Sequence, residues 1–98
     1  MQLKNSAVAG TLESCDVQIS VFPNAEGGIE ISLNSIVKAM FGDSIRQTAE
    51  QVLDELGVTD AVVQINDKGA FDWVIRARMQ AALCRAAGID FDWKGAGA

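Results

Sequence analysis

The sequence predicts an α+β fold: a small, mostly antiparallel sheet of about four strands, in the order β-β-β-α-β-α, with helices covering one face. Three observations carry this. Two stretches in the first third alternate apolar and polar residues with period two. Two later stretches repeat apolar residues with a period near 3.6. A short β-branched run separates those two helical stretches.

The first strand is Ala7 to Leu12, small-to-apolar and interrupted by Gly10. Asp16 to Phe22 follows, with Val17, Ile19 and Val21 on one face and Gln18, Ser20 and Phe22 on the other. The run Pro23-Asn24-Ala25-Glu26-Gly27-Gly28 is concentrated turn chemistry. Ile29 to Leu33 alternates again, and its position just after a turn predicts antiparallel pairing with the preceding strand.

Asn34 or Ser35 can cap a helix, and Ile36, Val37, Met40 and Phe41 fall at helical spacing. Gly42 interrupts, so the expectation is a short helical turn, a break, and a main helix over residues 43–56. Its stripe is Ile45, Ala49, Val52, Leu53 and Leu56, with Gly57 as the stop. Ala61 to Ile65 is the last strand, and Asp67 can cap the helix over residues 70–87. Phe71, Val74, Ile75, Met79, Ala82, Leu83 and Ala86 mark the apolar face of that helix. Residues 1–98 read as one domain without linker or repeat. Residues 89–98, with Ile89, Phe91 and Trp93 before a Gly/Ala-rich end, are expected to form a loosely ordered tail.

Composition limits the functions available. The 98 residues are 49% hydrophobic, which argues for a packed core and against disorder. Thirteen acids against eight bases give a net charge of −5, with no basic stripe to neutralise phosphates. Nucleic acid and anionic membrane are therefore poor partners. An acidic small domain suits the basic patches of larger proteins. No apolar run approaches a membrane span and Met1-Gln2-Leu3-Lys4 does not open a signal peptide, so a cytoplasmic location is expected. Cys15 and Cys84 read as free thiols, and two cysteines without histidine predict no metal site.

Chemistry concentrates at Ala9-Gly10-Thr11-Leu12-Glu13-Ser14-Cys15-Asp16-Val17, a serine in a turn between two strands. Three readings of Ser14 stand: an ordinary turn serine, a nucleophile, or a site of covalent attachment. Catalysis lacks support, since the chain has no histidine, no tyrosine and no G-x-S-x-G elbow. No catalytic residue is predicted. On the last helix, Arg78 and Arg85 project within the apolar arc beside Val74. They pair with Asp67, Asp72 or Glu30, or they hold phosphates. Trp73 lies on the opposite, polar face with Gln80 and Cys84, as a docking residue or as a side chain covered by Phe91 and Trp93.

The stretch Ala7-Val8-Ala9-Gly10-Thr11-Leu12-Glu13-Ser14, followed by Asp16-Val17, resembles the amino-terminal signature of the acyl carrier subunit (γ chain) of citrate lyase. The resemblance continues through Phe41-Gly42-Asp43 and Ile45-Arg46, and returns in Asp67-Lys68-Gly69-Ala70, Asp72 and Ile75-Arg76-Ala77-Arg78. It covers essentially the whole chain. One departure is Cys15, where the family is expected to have a small residue such as Gly or Ser. The resemblance implies that Ser14 carries a 2'-(5''-phosphoribosyl)-3'-dephospho-CoA group through a phosphodiester, put there by a prosthetic-group transferase. The thiol of that group would bear acetyl and citryl thioesters. An alpha (transferase) subunit would exchange acetyl for citrate, and a beta (citryl lyase) subunit would release oxaloacetate. This chain would then be a non-catalytic carrier in a citrate-fermenting complex. Glu13 and Asp16 would flank the phosphodiester and repel it, serving recognition by the transferase or keeping the arm extended.

Two rival readings remain. The carrier subunit of malonate decarboxylase resembles the chain around the serine turn, although the Asp67–Ala70 and Ile75–Arg78 stretches favour citrate lyase. The other is an α+β binding or regulatory module with no covalent group, in which Arg78 and Arg85 hold a small anion.

Overall fold

The structure is a computed structural model and describes residues 1–89. The elements are β1 (Ala7–Gly10), β2 (Val17–Phe22), β3 (Gly28–Ser35), α1 (Lys38–Glu55), β4 (Asp60–Asp67) and α2 (Asp72–Ala87). This is the predicted order, in an α+β fold. The strands form one sheet in the spatial order β1-β2-β4-β3. β1 and β4 pair antiparallel with β2, whereas β3 runs parallel to β4, so the sheet is mostly antiparallel but mixed.

The expected antiparallel pairing of β2 with β3 is not formed, because β4 lies between them. The reason lies in burial and connection. β4 carries Ala61, Val63 and Ile65, all at most 1% exposed, and belongs at the centre of the sheet. β3 exposes most of its length and suits an edge. Helix α1 provides the crossover needed to bring β4 parallel to β3. The other edge of β4 is then available to β2.

Alternation puts Ala9, Val17, Ile19, Val21, Leu33, Val63 and Ile65 on the core face. Both helices cover that face. Ile45, Ala49, Val52 and Leu53 of α1, and Ile75, Met79, Ala82, Leu83 and Ala86 of α2, complete one cluster. Each fully buried Ile, Leu or Val in it is worth about 1.5–3 kcal/mol relative to exposure.

Helix α1 runs unbroken through a buried Gly42, rather than stopping there. Packing of the Ile45–Leu53 stripe against the core outweighs the roughly 1 kcal/mol that a mid-helix glycine costs. Asn34 and Ser35 end β3 instead of capping α1, whose N-cap is Val37. The helix closes with Gly57 at φ +67°, its N–H donating to Asp54 O while Val58 N–H donates to Leu53 O. That pattern requires a left-handed residue, which glycine supplies without strain.

Three expectations for α2 change. Phe71 is the N-cap residue and is exposed, because it precedes the first turn and escapes the helical stripe. Asp67 does not cap the helix; its Oδ1 accepts from Ala70 N–H in the turn before it. Cys84 is buried, not on an open polar face, since the final two turns are enclosed on several sides (Ala82, Leu83, Ala86 and Ala87 are buried as well). Ile89 is exposed, and the rest of the expected tail, Phe91 and Trp93 included, lies outside the described residues.

Candidate functional site

Strand directions gather the functional segments at one end of the molecule. β1 ends there and β2 begins there, while β3 and β4 both end there, with Val17 opposite Asp67 and Ser35 opposite Asp67. The β1–β2 turn bearing Ser14 therefore sits beside the β4–α2 loop.

Ser14 occupies the second position of a four-residue turn in which Asp16 N–H donates to Glu13 O (3.2 Å). Cys15 occupies the third position at φ +64°, the one non-glycine residue among those described with positive φ. A turn of this kind favours glycine there. This gives a backbone reason for expecting a small residue at this position. Backbone bonds also dock the turn: Cys15 N–H donates to Lys68 O and Lys68 N–H donates to Asp16 O, each at 2.9 Å. They extend the β2–β4 ladder beyond Val17. Ser14 is exposed, and its Oγ has no hydrogen-bond partner among the described residues.

Asp16 organises the turn from inside. Its Oδ2 accepts from Thr11 Oγ1 (2.7 Å), its Oδ1 from Val17 N–H (2.7 Å), and Arg78 reaches both oxygens through Nε and Nη2. The hydrogen bond from Thr11 leads the effects that hold this carboxyl down to about 2, with Val17 N–H and Arg78 adding to it against partial burial. Asp16 is thus neither a base for Ser14 nor an uncompensated repulsive charge. Glu13, exposed and without an ion pair among the described residues, is the acid left open at the turn.

Gly10 makes this closeness possible. At φ +89°, a Cβ there would sit 1.8 Å from Val17 O and 3.2 Å from Arg78 Cδ. The glycine that interrupts the first strand in the sequence leaves room for both the next strand and the arginine.

The two arginines do not meet the acids proposed for them. Asp67 is buried and committed to Ser35 Oγ (2.7 Å) and Ala70 N–H (2.9 Å). Glu30 belongs to β3, on the far side of β4 from β2. Arg78 takes Asp16 instead, and Arg85 Nη1 donates to Val8 O (2.8 Å). Both line one groove of about 520 Å³, with Cys15 at its turn end and Trp73, Ala77 and Ala81 along α2. Trp73 is 70% exposed.

Around the serine turn, Leu12, Ile36, Met40, Phe41 and Phe71 are exposed at this same end. A second groove, about 400 Å³, opens between Val37, Phe41 and Ile45 on one side and Ala70 and Phe71 on the other. Met40 and Phe41 fall at helical spacing and Phe71 heads the apolar stripe of the last helix in the sequence; lying at helix beginnings, they overhang the sheet end and stay exposed. Cys84 is buried and its thiol pushed up by burial, which makes it inert. No group of three or more potential metal ligands occurs among the described residues, and no described helix is long and apolar enough to cross a membrane.

Comparison with known proteins gives the class: relatives matched over nearly the whole chain are acyl carrier proteins. The family described as ACP, malonate decarboxylase delta subunit (MdcD), matches residues 4–86. The chain is 51% identical over 94 residues to the citrate lyase acyl carrier protein of Clostridium perfringens, covering 95% of this chain and 93% of that one. With the citrate lyase acyl carrier protein of Streptococcus pyogenes serotype M5 the identity is 54% over 95 residues, covering 96% and 93%. The chain belongs to the family of citrate lyase acyl carrier proteins. Its fold is also that of a chain in a Pseudomonas malonate decarboxylase hetero-tetramer crystallised with malonate, at a TM-score of 0.62, 19% identity, and 87% and 88% coverage.

Proposed function

We propose that this chain is the non-catalytic acyl carrier subunit of a citrate lyase, loaded on Ser14 with 2'-(5''-phosphoribosyl)-3'-dephospho-CoA. The observation that carries this reading is Ser14 itself: an exposed hydroxyl on a turn docked by backbone hydrogen bonds to Lys68, with the carboxylate of Asp16 committed to Arg78. Such a hydroxyl is a poor nucleophile unaided and an accessible acceptor for a modifying transferase. The residues present suit the group. Ser14 Oγ offers the ester oxygen, Asp16 has its charge matched by Arg78, and a groove carrying Arg78 and Arg85 begins at Cys15. The two arginines are proposed as its phosphate contacts. When attached, the group supplies a terminal thiol that carries acyl chains as thioesters.

The chain's own part is delivery. A tethered arm replaces bimolecular encounters with a local concentration in the millimolar range. Partners follow from the reading: alpha and beta subunits that perform the chemistry, and a transferase that loads Ser14. The exposed apolar side chains around the turn supply a surface on which they dock. Malonate decarboxylase is the second reading, favoured by the description of the matching family.

The test is intact mass of the protein from its own host, grown on citrate. The full group should add its mass to the native chain and nothing to Ser14→Ala, which folds normally yet yields an inactive complex. A bare native chain in cells with an active enzyme, or an adduct that survives Ser14→Ala, overturns the proposal. Copurification with malonate-specific subunits instead would select the second reading.

A further inference from the structure

We infer that the groove along α2 is the resting bed of the arm, in which Trp73 stacks on the purine base and Arg85 holds a phosphate farther along it. The inference rests on the covalent reading of Ser14 and adds where the arm lies between visits to its partners. The groove starts at Cys15, the residue next to the attachment point, so the proximal part of an arm on Ser14 enters it directly. Its floor is Ala77 and Ala81, small side chains that leave the helix surface open to a flat ring. Trp73, Ala77, Ala81 and Arg85 recur every four residues and so share one flank of α2.

The side chains differ in what they keep in reserve. Arg78 spends Nε and Nη2 on Asp16, which fixes its plane at the groove wall. Arg85 spends only Nη1, and on a carbonyl, so its positive charge has no carboxylate partner among the described residues. In a chain of net charge −5, a groove with an exposed indole at one end and a cation without an acid about 18 Å of helix further on suits an elongated anion that carries an aromatic ring. Base–aromatic stacking tolerates any base, and arginine engages phosphate through paired donors. A nucleotide is the ligand class that has both parts.

The readout is Trp73 itself, in a full-length Trp93→Phe chain prepared with and without its prosthetic-group transferase, loading being read by intact mass. Loading should quench the Trp73 emission by roughly half through stacking, and shift its indole N–H and the amides of Ala77 and Ala81. Arg85→Gln should restore most of the emission in the loaded chain, and 0.5 M salt should restore part of it. A chain loaded on Ser14 whose emission and α2 amides match those of the unloaded chain overturns the inference while leaving the covalent reading intact. A chain that stays bare in an active complex overturns both.

Discussion

At Asp16 a single carboxylate joins the turn, the next strand and a distant helix through Thr11, Val17 and Arg78. Its folded pKa of about 2 lies below the roughly 3.9 of an unfolded aspartate, so it binds protons less readily when folded. The stability it adds is therefore present above about pH 4 and is lost as the pH falls toward 2. Asp16→Asn should destabilise the chain by about 2 kcal/mol at neutral pH. The gap from the native protein should close between pH 4 and pH 2, as followed by urea unfolding at each pH. A gap that persists unchanged at pH 2 would show that shape, not charge, is what Asp16 contributes. The residue types of the serine turn were legible in the sequence, but this role was not. Asp16 read as a charge flanking the attachment site and repelling a phosphodiester there, because its partner Arg78 lies 62 positions away, beyond the reach of any local spacing. Gly10, by contrast, was visible as an interruption, although what approached it was not.

Among the elements, β4 is the strand on which the others depend, and Asp67 is its terminal joint. This buried carboxylate ties the end of β3 through Ser35 to the turn before α2 through Ala70 N–H. The same turn holds Lys68, whose backbone docks the serine loop. Asp67→Ala leaves both donors without their acceptor and should cost about 3 kcal/mol, whereas Asp67→Asn keeps one acceptor oxygen and should cost about 1 kcal/mol. Denaturant unfolding checks the order, and equal losses would contradict it. The strands themselves were readable, because alternation fixes which side chains face the core. Their neighbours were not. Adjacency in sequence favours a β2–β3 hairpin, and only the burial of Ala61, Val63 and Ile65 together explains why β4 takes the centre. Gly42 misled for a related reason: local propensity marks a break, while the stripe from Ile45 to Leu53 holds the helix through it.

For the whole molecule, the two ends differ. The serine end concentrates exposed apolar groups, Met40 at 79% exposure and Phe71 at 67% among them, on an otherwise acidic chain. Since these side chains are solvated in the free protein, Phe41→Ser with Phe71→Ser should leave the unfolding midpoint nearly unchanged. If the proposed partner subunits dock on this end, the same pair should weaken their binding at least about tenfold, as expected for aromatic anchors at an interface. Unchanged affinity by calorimetry would move the docking surface elsewhere. The backbone bonds between Cys15, Asp16 and Lys68 carry a last consequence, for biosynthesis. The outline that Ser14 presents to another protein is completed by a loop made much later in translation, after β3, α1 and β4. A nascent or misfolded chain holds the same residues without that outline. On the proposed reading of Ser14, a transferase that recognises the turn by shape would thereby be inspecting the finished fold before loading it.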